Sequence, residues 1–466
     1  MWRILLPAAL VFASATVCFG QRQAASRAAA LDYGETAGAA ISEDSATAQH
    51  AIDVLRAAGP AGLRSLLVTH ADLIAKHQDS EPAWQRLKTA LDQVSGQRDC
   101  HASRLFWYTD LEQAEAAAER EHKPILSLRL LGKLTDEYSC ANSRFFRTTL
   151  YANDAVSQVL RDRFILHWKS VRPVPKVTID FGDGRKLERT LTGNSVHYVL
   201  DSEGRVIDAL PGLYGPKPFL RELERAEKII EQTAAMPPIE RERALMAYHR
   251  ERAAAIHAAW QEDLNKVGIQ GASSVAVQPH VMVQPHVMAG QPQIAQKSTA
   301  TPSAAKAGPA ALSKWAIEAP MVAAVNPAPM AEEATSDAVW NRIAALHADD
   351  GTLDAASLAL IASQHPTAAA AARFAASKSY VENPLVRMVR TFQGSIALDT
   401  VRNEYLFHRQ IHQWLSAGST TNLDALNNRV YADLFLTPNS DPWLGLMPAD
   451  TYTALENNGV VKQTVK

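Results

Sequence analysis

The sequence predicts an α/β protein in which a mixed β-sheet with flanking helices is preceded and followed by all-α regions. Three observations predict this class. Between 104 and 232, apolar runs of strand length alternate with helical patterns. Within that stretch, Asp183-Gly184 separates two alternating segments, which is a strong hairpin signal. On either side of it, apolar residues recur at the spacing of amphipathic helices.

Length and composition set broad limits on the function. The 466 residues suffice for two to four domains, and 47% hydrophobic with 21% charged residues is ordinary for a soluble globular protein. A formal net charge of −2 gives no overall field that would attract nucleic acid or an anionic membrane. We therefore expect no nucleic-acid partner.

Residues 1–20 have the pattern of an export signal. Arg3 precedes an apolar run from 4 to 19, and Ala13-Ser14-Ala15 fits a cleavage site. The run is shorter than the roughly 20 residues of a membrane span. An uncleaved anchor and a lipoprotein signal at Cys18 stay open as alternatives. We expect an exported protein, periplasmic or extracellular, that touches a membrane only through an uncleaved signal.

Composition shifts and helix-breaking residues divide the rest of the chain. Gly59-Pro60 separates two short helices, Pro82 starts another and Gly96 ends it. The predicted regions are a disordered leader (21–40), a helical N-terminal region (41–98), an α/β domain (100–235), a helical extension (236–267), a disordered Ala/Pro-rich linker (268–335) and a helical C-terminal domain (336–466).

Within the α/β domain, strands and helices follow from periodicity and capping residues. Asp110 and Asn153 are suited to N-cap positions. The predicted strands are Arg104–Tyr108, Lys123–Leu131, Phe164–Val171, Lys176–Phe181, Lys186–Leu191, Ser195–Leu200 and Val206–Leu210. The predicted helices are Asp110–Glu121, Cys140–Leu150, Asn153–Arg161 and Pro218–Gln232.

Cys140 is the candidate reactive residue of this domain. It opens a predicted helix after a buried strand, where the positive end of the helix dipole favours the thiolate. Without the signal, the chain keeps Cys100 and Cys140, and an even pair in an oxidising compartment suggests a disulfide. A structural Cys100–Cys140 bond, a reactive Cys140 resolved by Cys100, and two unpaired thiols are all open.

The α/β domain resembles the thioredoxin superfamily over residues 104–232, about a quarter of the chain. The residues that carry the resemblance are Trp107, the Lys123-Pro124 pair before the apolar strand, Cys140 at the next helix and the segment Val199–Gly212. The resemblance implies a thioredoxin-like mixed sheet and, in family enzymes, thiol–disulfide exchange at a Cys-x-x-Cys motif.

This chain departs from the family pattern at two positions. The motif is Cys140-Ala141-Asn142-Ser143, and the place of the family's cis-proline falls on Ser195 or Asn194. A lone cysteine forms a mixed disulfide but cannot resolve it from within the motif.

Two functions therefore stay open for the domain. In one, Cys140 is the nucleophile, Ser143 supports its thiolate and Cys100 resolves the intermediate, with a thiol substrate. In the other, a redox-degenerate relative acts as a protein-interaction module, a scaffold locked by a Cys100–Cys140 disulfide. No cofactor fingerprint is recognised, so we expect none.

The C-terminal segment Val401–Leu415 carries a candidate metal site. Glu404, His408 and His412 lie one helical turn apart, which is a metal-ligand spacing. The alternative is a buried polar network. A tandem VQPHVM repeat at 277–288 holds paired His and Met that suit a soft metal such as copper, although repeat slippage also produces such units.

Overall fold

A computed structural model describes residues 33–76, 80–190, 193–269, 335–364, 384–418 and 422–443. The predicted signal, most of the predicted linker with its repeat, and the C-terminal tail lie outside these residues. Contacts divide the chain into two compact units. The first unit is Met1–Ala235 with Asp349–Ile396, and the second is Met236–Ala348 with Ala397–Lys466.

The first unit begins with helices that share one apolar core. They are α1 (Gly34–Ala39), α2 (Ser45–Ala57), α3 (Pro60–Thr69), α4 (Ala71–Lys76), α5 (Pro82–Ser95) and α6 (Cys100–Ser103). Asp44 caps α2 by accepting a hydrogen bond from the Thr47 N–H at 2.8 Å. Gly96 ends α5 in the left-handed conformation at φ 74°, which a residue without a Cβ adopts freely. Helix α1 lies inside the predicted leader, so the folded part starts earlier than expected.

A four-stranded mixed sheet forms the centre of the first unit, which confirms the α/β class. Its elements are α7 (Leu111–Glu121), β1 (Ile125–Leu131), α8 (Ala141–Phe145) with a π-helical turn at Phe146–Leu150, α9 (Asp154–Arg163), β2 (Ile165–Arg172), β3 (Lys176–Asp180), β4 (Lys186–Thr190), β5 (Ser195–Leu200), β6 (Val206–Pro211) and α10 (Pro216–Thr233). The strand order is β2-β1-β5-β6, with β1 parallel to β2 and antiparallel to β5. Strands β3 and β4 form a separate hairpin.

Strand β1 is the central element of this sheet. Ile125 pairs with Ile165 on one side and with Leu200 on the other. All seven residues of β1 are buried, as are all residues of β5 and β6. A strand that is covered on both faces needs a nearly continuous apolar run, which explains the sequence of β1.

The predicted strand at 104–108 is reduced to one bridge, between Tyr108 and His167. The cause is Trp107, which is held by the helices before it. Its backbone N–H donates to the Ser95 carbonyl at 2.8 Å, and its indole N–H donates to Gln97 Oε1 at 2.7 Å. These bonds keep the backbone here out of a regular ladder.

The described helices farther along the chain are α11 (Pro238–Lys266), α12 (Asp337–Leu346), α13 (Ala355–Gln364), α14 (Pro384–Arg402), α15 (Arg409–Ser416) and α16 (Leu423–Arg429). A 3-10 turn spans Ala348–Gly351, and π-helical turns span Asn403–His408 and Val430–Leu434. None of the helices described in this structure combines the length and apolar character that a bilayer crossing requires.

The predicted C-terminal domain, 336–466, does not form one body. Helix α13 belongs to the first unit, where the Ser357 hydroxyl donates to the Thr149 carbonyl at 2.8 Å. Asp354 accepts a hydrogen bond from the backbone N–H of Asp154 at 2.8 Å, at the start of α9. These polar contacts explain why the segment joins the sheet domain.

The second unit has an aromatic core built from three segments that are far apart in sequence. The Trp260 ring stacks on Trp340 at 5.4 Å and on Tyr405 at 6.0 Å between centroids. Asp263 accepts hydrogen bonds from the Tyr405 hydroxyl and from His347 Nε2, both at 2.6 Å. Helix α11 thus packs against α12 and against the segment around Tyr405 as one cluster.

Two buried histidines lie in the sheet of the first unit. Desolvation lowers the pKa of His167 to about 3, with a further contribution from Arg129, and lowers the pKa of His197 to about 3. The His197 ring lies 4.5 Å from Phe146 and its Nε2 is 2.6 Å from the Tyr151 hydroxyl. Both histidines are therefore neutral in the folded protein at physiological pH.

This burial predicts an acid-sensitive fold. Because the folded-state pKa of His197 is below the unfolded value of 6.5, its neutral form contributes full stability above pH 6.5. That stability is lost as pH falls from 6.5 towards 3, since the unfolded chain then binds the extra proton. In His197→Gln, which keeps a partner for Tyr151, we expect the free energy of unfolding to fall less steeply, by about 1 kcal/mol per pH unit. Urea denaturation of both proteins between pH 7 and 4 measures this, and parallel pH profiles would contradict it.

Candidate functional site

Cys140 connects the central strand to the helix that follows it. Its backbone N–H donates to the Leu131 carbonyl at the end of β1, at 3.3 Å. Its own φ of −59° and ψ of 158° are those of an N-cap residue, and its Sγ accepts a hydrogen bond from the Ser143 N–H at 3.4 Å. The predicted position of Cys140 at a helix N-terminus is therefore confirmed.

The Cys140 sulfur is enclosed by protein. Its residue is 0% exposed, and Sγ lies 3.5 Å from Ser143 Oγ and 3.9 Å from the Asn194 carbonyl oxygen. The Ser143 hydroxyl donates its own proton to the Cys140 carbonyl at 2.9 Å. Ser143 Oγ is thus an acceptor towards the thiol, and only its backbone N–H donates to the sulfur. The Ser143 hydroxyl therefore does not donate a hydrogen bond to the Cys140 sulfur, in contrast to the prediction that it would support a thiolate.

Two arginines close the loop at 132–139 over the cysteine. Arg144 donates to the Ser139 carbonyl at 3.2 Å and to Thr190 Oγ1 at 2.8 Å. Arg147 donates to the Asp136 carbonyl at 2.8 Å and to the next carbonyl along the loop at 3.1 Å. The loop before Cys140 is therefore tied to the helix after it, which explains the burial of the sulfur.

Cys100 lies in a different environment, in the core of the N-terminal helices. It is 0% exposed, and its Sγ faces the Leu105 carbonyl at 3.9 Å. Burial raises the pKa of the Cys100 thiol to about 12, and the carboxylates of Asp92 and Asp99 add to this. Cys100 is therefore a neutral thiol at physiological pH.

The predicted Cys100–Cys140 disulfide is not formed, since both residues are free cysteines. The physical reason is the direction of the two sulfurs. Cys140 Sγ points to Ser143 and Asn194, whereas Cys100 Sγ points to Leu105. An even cysteine count indicates pairing but carries no information on side-chain direction.

Ser195 and Asn194, one of which is predicted to take the place of a cis-proline, both contact the cysteine helix. The Asn142 amide donates to the Ser195 hydroxyl at 3.0 Å, and Asn194 presents its carbonyl to the Cys140 sulfur. Asn142, Asn194 and Ser195 are all buried. The start of β5 thus contacts the cysteine helix through the Ser195 hydroxyl and the Asn194 backbone carbonyl.

The second unit brings the predicted metal ligands together with one residue that the sequence reasoning missed. His408 Nδ1 lies 2.8 Å from Glu404 Oε2, and the ring centroids of His408 and His412 are 4.3 Å apart. His249, on helix α11, places its Nδ1 2.9 Å from His412 Nδ1. The contact spans 163 positions in sequence, and a single histidine in an Arg- and Glu-rich helix gives no signal of it.

Glu404 is ionised in this cluster. Burial raises the pKa of its carboxyl, but His408, Arg252 and His412 outweigh that effect and lower it to about 2. Arg252 Nη2 lies 3.4 Å from the second carboxylate oxygen. The arrangement is a buried polar network, and metal binding by Glu404, His408 and His412 stays a prediction. The histidines of the VQPHVM repeat lie outside the described residues.

Comparisons with known proteins identify no relative of this chain. No protein-family model, no curated protein and no solved structure matches it. The thioredoxin-like relationship predicted from Trp107, the Lys123-Pro124 pair and Cys140 therefore stays a prediction.

The capping geometry predicts different stabilities for two substitutions at Cys140. Cys140→Ala removes the acceptor of the Ser143 N–H, and we expect the free energy of unfolding to fall by about 1 kcal/mol. Cys140→Ser keeps an acceptor of the preferred N-cap type and should be at least 0.5 kcal/mol more stable than the alanine variant, roughly half of that capping term. Urea denaturation of the three proteins checks this. Equal losses in both variants would show that capping by the sulfur contributes nothing.

Proposed function

We propose that residues 100–235 are a redox-degenerate thioredoxin-like domain and that the protein is an exported, non-catalytic protein-interaction module. The observation that carries this proposal is the complete burial of Cys140, whose sulfur serves as a helix cap. A side chain that satisfies a backbone N–H inside the core has a structural task, which does not depend on reaction with another protein.

Three features support the thioredoxin-like arrangement. Cys140 opens the helix that follows β1, and Lys123-Pro124 leads into that strand. The late hairpin β5–β6 is joined by a turn in which Asp201 accepts hydrogen bonds from the N–H groups of Glu203 at 3.0 Å and Arg205 at 2.9 Å. These three elements support the proposed arrangement.

The chemistry of exchange argues against a catalytic role for these cysteines. Exchange begins with attack of a thiolate on a disulfide sulfur, so the attacking thiol needs access to its substrate. Cys140 is 0% exposed, position 143 is a serine, and the thiol of Cys100 is buried with a pKa of about 12. Nucleophilic attack by Cys140 and thiolate support by Ser143 require opening of the loop at 132–139. Resolution by Cys100 requires opening of the N-terminal helical core.

The hairpin β3–β4 is a candidate surface for a protein partner. It pairs only with itself among the described strands, and a two-stranded ribbon on its own is marginal in water. Val177 is 36% exposed and Phe181 55% exposed on this hairpin. Apolar side chains on a solvent-exposed ribbon with unpaired edges favour association with another chain.

Thiol accessibility tests the proposal. In a Cys18→Ser protein, which leaves only Cys100 and Cys140, we expect Ellman's reagent to react with both thiols in denaturant and with neither in the native state. The expected native rate is at least 100-fold slower than that of a free thiol, because attack then requires opening of the core. The absorbance of the coloured thiolate that Ellman's reagent releases measures both rates.

The same titration distinguishes this proposal from the alternative in which Cys140 is the nucleophile of thiol–disulfide exchange. A single fast thiol in the native protein that disappears in Cys140→Ser, with Cys100→Ser as the matched control, would overturn the non-catalytic proposal. Two slow thiols in the native protein agree with it.

A further inference from the structure

Helix α3, the segment 104–108 and the start of β2 enclose a cleft of about 290 Å³. All residues that line it belong to the first unit. Strand β2 is at the edge of the sheet, and the segment 104–108 pairs with it only at Tyr108, so no regular ladder fills the space beside the start of β2. The volume is close to the lower end of the range for small-molecule sites, about 300–1,000 Å³. The cleft therefore has the size of a site for a small ligand.

The floor of this cleft is apolar. Leu63, Leu160 and Phe164 are part of its lining and are at most 3% exposed. Leu67 and Phe106 also line it, but they are only half-buried, so part of each side chain is in contact with water. An apolar group placed in the cleft would cover this surface, and the hydrophobic effect favours such a contact.

The charges around the cleft are mainly positive. Among the described residues that line it, the charged side chains are Arg64, Arg104, Lys123, Arg161 and Glu121. The single carboxylate, Glu121, already lies 3.1 Å from the Lys123 ammonium group. The lining therefore offers no second carboxylate for Arg104 and Arg161.

Arg104 and Arg161 are cations without a carboxylate partner. The Arg104 guanidinium makes no hydrogen bond or ion pair with any residue that the structure describes. Arg161 donates from Nη1 to the Ser103 carbonyl at 2.7 Å and forms no ion pair in the described part of the chain. Burial lowers the pKa of Arg161, Asp162 opposes this effect, and the positive charge of Arg104 adds to it. The two guanidinium groups thus repel each other, and an anion bound to both would offset that repulsion.

The backbone of Arg104 is a second indication that its side chain has a role. Its φ is 56°, in the left-handed region that glycine adopts without the steric cost of a Cβ. Its N–H donates to the Cys100 carbonyl at 2.6 Å, which ends α6. Glycine would suit this turn better, so the turn does not need the guanidinium that arginine brings to the cleft. Such unfavourable backbone positions cluster at ligand sites.

We propose that this cleft binds a small amphipathic anion. Arg104 and Arg161 hold its carboxylate or phosphate head, and its apolar body covers Leu67 and Phe106. Guanidinium groups bind both kinds of head through charge-assisted hydrogen bonds, often in pairs. The lining includes neither Cys140 nor any residue of β3–β4, so the site is independent of the proposed interaction module.

Calorimetric titration of the full chain with octanoate and with octyl phosphate tests the site. We expect one molecule per chain, and the anion that binds more tightly identifies the preferred head group. Octanol lacks the charge and inorganic phosphate lacks the apolar body, so each should bind at least about tenfold more weakly than that anion.

Two variants remove the proposed cationic partners. Arg104→Gly and Arg161→Gln should each raise the dissociation constant about tenfold, because a charge-assisted hydrogen bond is lost. Arg104→Gly also relieves the left-handed backbone, so its melting temperature should be unchanged or higher, and misfolding then cannot explain weaker binding. If Arg104→Gly melts lower, Arg161→Gln, a change at an exposed residue, decides the outcome.

Lys76→Gln is the matched control, since it removes an exposed positive charge of the first unit outside the cleft. It should bind the anion as the native sequence does. The proposal is overturned by dissociation constants above about 1 mM for both anions. It is also overturned if octanol binds as tightly as octanoate, or if the affinity is unchanged in Arg104→Gly and Arg161→Gln.

Discussion

The double-sided pairing of β1 is the constraint on which the first unit depends. Ile125–Leu131 forms hydrogen bonds with β2 on one edge and with β5 on the other, and all its side chains are buried. A strand in this position cannot shift its register without moving buried side chains out of the core. Its last carbonyl, at Leu131, accepts from Cys140, so the helix that follows is fixed by the same strand.

Burial decides the chemistry of the candidate site. A thiol at a helix N-terminus is a reactive group when solvent reaches it and a cap when the loop is closed over it. Here the closed loop, the Arg144 and Arg147 contacts and the inward direction of the Cys140 sulfur favour the cap. The Tyr151–His197 hydrogen bond is buried next to Phe146, in the π-helical turn that continues this helix.

Elements that depend on residues close together in the sequence could be predicted from local sequence patterns. The apolar run of β1, the Asp183-Gly184 turn and the capping position of Cys140 are all set by neighbouring residues. The prediction of a strand at 104–108 was wrong, apart from the bridge at Tyr108, because Trp107 is held by Gln97, ten residues earlier in the chain.

Contacts between residues that are far apart in the sequence could not be predicted from it. The contact of Ser357 with Thr149 and the pairing of His249 with His412 each depend on residues that are far apart in sequence and are brought together by folding. Periodicity reports which face of a helix is apolar, and it does not report which helix packs against that face.

Native-state hydrogen exchange tests the central claim most directly. If Cys140 is locked into the fold by β1, amides at 140–146 exchange only through the same global unfolding that exposes the amides of β1. We predict equal opening free energies for these two segments, measured by exchange at increasing low concentrations of denaturant. Exchange of 140–146 through a local opening several kcal/mol below that of β1 would contradict the account, because it would show that the sulfur becomes accessible while the sheet stays folded.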